Sequence, residues 1–156
     1  MNNNRGFTLI ELLVTVSILA IVAAIAIPNL ITSKQAANEA GAVKTCRTLG
    51  SAEIAFMAVN NQEYTNIDTL VAGNYLDSRF SNTAGFHGYA YASGTVAGAS
   101  AGGSPPTAFE FIATPTTGGG RYLYGIATDQ VIRYQGAVGG ATAPVGLAVG
   151  DPIGKR

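Results

Sequence analysis

Apolar and polar positions change pattern twice along the chain. From Phe7 to Ile27 the sequence FTLIELLVTVSILAIVAAIAI runs for 21 residues with one charge, Glu11, and three hydroxyls. As a helix it would rise about 31 Å, the depth of a bilayer's hydrocarbon core. Pro28 removes a backbone donor and collides with the preceding turn, which predicts a kink rather than a stop. Beyond it Ala36, Ala40, Val43, Cys46, Leu49/Gly50 and Phe56/Met57 recur at spacings of three and four, a helical stripe. Lys34, Glu39, Lys44, Arg47 and Glu53 fall on the other faces. The reading is one helix from about Thr8 to Asn60, some 80 Å long by helical rise. Asn60-Asn61 marks its exit.

After the helix the period falls to two. Tyr89/Tyr91, Phe109/Phe111/Ala113, Tyr122/Tyr124/Ile126 and Ile132/Tyr134 alternate with smaller or polar residues. This pattern predicts half-buried strands over 86–92, 108–114, 121–127 and 130–135. Turn residues separate the last three runs at Thr114-Pro115-Thr-Thr-Gly118 and Thr128-Asp129. An antiparallel meander laid over the helical stripe follows, and the fold class is α+β. Ser93–Pro106 and the chain from Gly136 onward are Gly/Ala-rich and low in complexity.

Composition narrows the chemistry. The 156 residues hold nine basic and nine acidic groups, so no net positive charge favours nucleic acid. A single cysteine, Cys46, excludes an intrachain disulfide and any multi-cysteine metal site; its place on the stripe makes it a small core residue. The one histidine, His87, has no acid–nucleophile constellation beside it, which favours a solvent-facing or satisfied ring over a general base. Gly118-Gly119-Gly120-Arg121 lacks the Lys-Ser/Thr of a phosphate loop and reads as a turn between strands. No catalytic residue, cofactor or metal is expected.

Glu11 is the anomaly. A carboxylate inside an apolar span costs several kcal/mol unless paired, and it interrupts what a simple signal peptide or anchor would keep apolar. Cleavage between Gly6 and Phe7 would create an α-ammonium one helical turn before it. Such an amine could neutralise Glu11 within one subunit or, between staggered subunits, a neighbour's Glu11. A pair of that kind sets register better than it adds stability.

The stretch Arg5-Gly6-Phe7-Thr8-Leu9-Ile10-Glu11-Leu12-Leu13 resembles the class III signal of type IV pilins and type II secretion pseudopilins. The resemblance implies that a prepilin peptidase cleaves after Gly6 and N-methylates Phe7, that Glu11 guides assembly, and that Pro28 is the helix-bending proline. Ala20 stands where many type IVa pilins have glycine, and alanine favours helix by close to 1 kcal/mol. The segment from Tyr64 to Leu76, with a short helical turn ending at Gly73 that Asp68 could cap, resembles the family's αβ-loop. Type IVa pilins usually close the C-terminal region with a disulfide, which this chain cannot form. Pseudopilins commonly lack one and can use calcium, but Asp129 and Asp151 are too sparse to claim such a site.

By that resemblance the chain divides into a leader (1–6), a membrane and filament-core helix (7–30), an amphipathic half-helix (31–60) and a globular head (61–156). Its expected partners are copies of itself and minor pilins, the peptidase/methyltransferase, an assembly platform with its ATPase, and the inner membrane before assembly. Arg5, close to the span, favours a cytoplasmic N-terminus. The expected function is a pilus subunit, with a pseudopilin as the alternative. A secreted binding domain cut after Ala24-Ile25-Ala26 is a third reading.

Overall fold

A computed structural model describes residues 7–61, 63–81, 85–93, 108–136 and 151–154. Helix α1 occupies Leu9–Val59 and runs through Pro28 without interruption. The chain divides into two units, one ending at Lys34 and the other beginning at Gln35. The second unit contains α2 (Ile67–Ala72), a 3₁₀ turn (Ser78–Ser81) and strands β1 (Tyr89–Ser93), β2 (Glu110–Pro115), β3 (Tyr122–Ala127), β4 (Ile132–Gly136) and β5 (Asp151–Pro152). The strands form one antiparallel sheet in the order β1-β2-β3-β4-β5. One long helix followed by an antiparallel meander is the expected α+β class.

The core of the second unit is built on the two periods. Cys46, Leu49 and Leu70 from the helices meet Tyr89, Phe111 and Ile126 from the sheet, all almost wholly buried. Each such large side chain stabilises the fold by about 1.5–3 kcal/mol relative to exposure. Cys46 is the inert core thiol expected of it, its pKa pushed up to about 12 by burial.

The helical stripe, however, is rotated from the expected one. Ala36 and Ala40 are exposed, whereas Glu39 and Glu53, assigned to outer faces, are buried. Both carboxylates are retained because the second unit supplies donors. Glu39 Oε1 accepts the backbone N–H of Arg121 at 2.9 Å and its Nε at 3.2 Å. Glu53 Oε1 accepts the N–H of Thr65. Asn38 Nδ2 adds a bond to the Gly119 carbonyl at 2.8 Å. Asn38 and Glu39 together fasten the β2–β3 turn to the helix.

Turn chemistry moves other boundaries. The first strand starts at Tyr89, not Phe86, because Phe86 and Tyr89 exchange backbone bonds across His87 and Gly88, both at positive φ. Paired positive φ values are those of a two-residue hairpin turn. His87 is exposed, with its Cβ near Gly41 of the helix. The fourth strand starts at Ile132, not Gln130, because Gln130 also takes a positive φ. Asn66, not Asp68, caps α2: its Oδ1 accepts Thr69 N–H at 2.9 Å, and Asp68 sits in the first turn. Asp129 is drawn into an ion pair with Arg133, which holds its carboxyl below the usual range. Residues 94–107 and 137–150, most of the low-complexity sequence, lie outside the described residues.

Candidate functional site

The apolar N-terminal helix begins with a cap. Thr8 Oγ1 accepts the Glu11 N–H at 3.3 Å, and the Thr8 carbonyl accepts Leu12 N–H at 3.2 Å. Thr8-Leu9-Ile10-Glu11 is thus the T-x-x-E pattern of a capping box, with the carboxylate on the third helical residue. The sequence carried this signal, and the reading of Glu11 as an intramembrane anomaly passed over it. An acidic group in the first turn also meets the positive end of the helix dipole. Glu11 is exposed, and its carboxylate has no ion-pair partner among the described residues. Phe7 lies one turn before it and is 75% exposed. Gly6 lies outside the described residues.

Three hydroxyls of this helical segment are turned inward on its own backbone. Thr15 Oγ1 donates to the Leu12 carbonyl and Ser17 Oγ to that of Leu13, each at 2.8 Å. Thr32 Oγ1 likewise donates to the Asn29 carbonyl at 2.9 Å. Hydroxyls bonded this way need no outside partner, which suits an apolar environment. Fifteen large apolar side chains between Phe7 and Ile31 stand 49–81% exposed. The helix is long and apolar enough to cross a membrane by length and composition. At Pro28 the missing N–H leaves the Ala24 carbonyl without its helical donor.

Among the described residues no cluster of three or more His, Cys, Asp or Glu side chains could hold a metal. The chemistry of the segment is therefore that of a cappable, oily helix presenting one carboxylate near its start.

Comparison with known proteins matches this segment. Residues 1–27 fit the family described as the prokaryotic N-terminal methylation motif. The chain is similar to type IV pilins over its N-terminal segment. It is 54% identical over 39 residues to the type IV wide pilus major component PilA4 of Thermus thermophilus, covering 25% of this chain and 30% of that protein. It is 44% identical over 55 residues to the type IV major pilin protein PilA of Myxococcus xanthus, covering 35% of this chain and 25% of that protein. Each match spans less than a third of the relative's length.

Proposed function

We propose that the chain is a subunit of a type IV pilus, cut between Gly6 and Phe7 and N-methylated on Phe7. The apolar helix holds the precursor in the inner membrane and afterwards packs among copies of itself in the filament core. Glu11 sets the register of the incoming subunit by neutralising a free amine, and Pro28 bends the helix so that neighbours can pack past it. Peptidase, platform and ATPase act on the chain from outside, since its composition offers no nucleotide-binding chemistry. The proposed boundaries are 1–6 for the leader, 7–30 for the buried helix, 31–60 for its amphipathic half and 61–156 for the head.

The observation that carries this reading is the methylation motif running into a capped helix whose large apolar side chains have no cover within the first unit. Exposed apolar surface of that extent marks a membrane or an assembly partner. The test is to shear cells carrying Glu11→Ala and to immunoblot the sheared fraction. Surface filaments are expected from the unaltered chain and at least a tenfold loss from the variant, with the precursor still in the membrane. Filaments at unaltered yield from Glu11→Ala would refute the register role. The absence of a disulfide favours the second reading, a pseudopilin. Recovery of the unaltered chain only inside the envelope, with a secretion defect on deletion, would select it.

A further inference from the structure

The filament reading leaves one buried carboxyl of the second unit unused. Glu53 lies on α1 with its side chain wholly buried, and its Oε1 accepts the N–H of Thr65. Its Oε2 is buried with no hydrogen-bond partner among the described residues. A neutral carboxylic acid is tolerated there, whereas a carboxylate would hold a desolvated charge against apolar neighbours. Thr65 stands two residues before α2, near the start of the segment Glu63–Leu76. The other anchors of that segment are neutral. Ile67 N–H donates to Ser93 Oγ at 3.1 Å, and the side chains of Ile67, Leu70 and Leu76 are buried in the core. Tyr75 meets Phe56 of α1 edge to face, and Tyr64 meets Phe109. A six-residue helix does not hold its shape alone, so α2 depends on these contacts. Among them, only the Glu53–Thr65 bond changes with protonation of a carboxyl.

The ionisable groups around Glu53 supply no compensating cation. Lys44 and Arg47 of α1 are exposed, as are Glu63 and Asp68 of the segment. Tyr64 and Tyr75 of the segment and Tyr91 of β1 contribute phenol hydroxyls. Glu110 of β2 sits between core-facing Phe109 and Phe111, so strand alternation turns it to the opposite face of the sheet. Burial and the Thr65 bond act on the Glu53 carboxyl in opposite directions, and burial prevails, raising it to about 7. We infer that Glu53 is a pH-operated latch, which when neutral holds the segment Glu63–Leu76 on α1 and when ionised releases it so that water reaches Oε2. The sheet, paired strand to strand from β1 to β5, stays closed. This latch belongs to the second unit and works whether or not the chain enters a filament. Its sign follows from the titration: the carboxyl holds its proton more tightly closed than open, so closure weakens as pH rises through about 7.

The test is hydrogen–deuterium exchange of the full chain in maltoside micelles, read by mass spectrometry from pH 5 to pH 8 after correction for the intrinsic exchange rate. Peptides covering 63–76 are expected to show an opening constant that rises roughly tenfold per pH unit and levels off above about pH 7. Peptides covering 110–127 should show no such rise. Glu53→Gln keeps an acceptor for Thr65 without the charge, and it should remove the rise over 63–76. Glu63→Gln, at an exposed position of the same segment, should leave the rise in place. A flat response in the unaltered chain, a rise that survives Glu53→Gln or vanishes in Glu63→Gln, or an equal rise across 110–127 would each overturn the latch.

Discussion

A buried carboxylate with one unpartnered oxygen makes stability depend on pH at Glu53. Its pKa is raised from 4.5 to about 7 by burial, with the Thr65 N–H bond acting in the opposite direction. A folded-state value above the unfolded one means the stability is fully present below about pH 4.5 and lost as pH rises through about 7. Glu53→Gln keeps an acceptor for Thr65 and removes the charge. Melts of the variant are expected to match the unaltered chain at pH 4 and to exceed it at pH 8. A variant less stable at pH 8 would show that the ionised carboxylate is compensated in the fold. Glu39 answers the same problem differently, through a backbone donor and a guanidinium 82 residues away.

Turns and helix faces decide how the elements meet, and two adjacent glycines separate clash from conformational strain. A Cβ on Gly119 would lie 1.8 Å from the Gly88 carbonyl oxygen, a backbone atom that cannot swing aside. Gly118 takes φ +74° with open space around it. Gly119→Ala is therefore expected to cost about 3 kcal/mol in chemical denaturation and Gly118→Ala about 1 kcal/mol. Equal costs would contradict the close approach of these two turns. Periodicity sufficed for α1 and for β1–β4 because apolar residues there follow helical and strand spacing. It misplaced Glu39, Glu53, Ala36 and Ala40, because a carboxylate's partner across the fold leaves no mark on its own neighbourhood. The pair Asp151-Pro152 gave no strand signal, as both residue types are rare in strands, yet it pairs with Arg133 and Tyr134 at the sheet edge. The helix start was legible in Thr8-x-x-Glu11, and the motif around it was legible from the nine residues Arg5 to Leu13.

At the scale of the whole molecule, the described residues of the first unit form no core of their own and those of the second form one. A chain with fifteen bare apolar side chains between Phe7 and Ile31 is expected to partition into detergent or membrane, and removing residues 7–34 should abolish that partitioning. Partitioning that survives the truncation would locate the apolar surface elsewhere. The proposed life of the subunit begins with one cut, because only that cut creates the amine that Glu11 is placed to meet. The intact mass of the chain recovered from sheared filaments tests this most directly. The expected mass lacks residues 1–6 and carries one added methyl group on Phe7. A mass retaining those six residues, or one lacking the first 26, would contradict it.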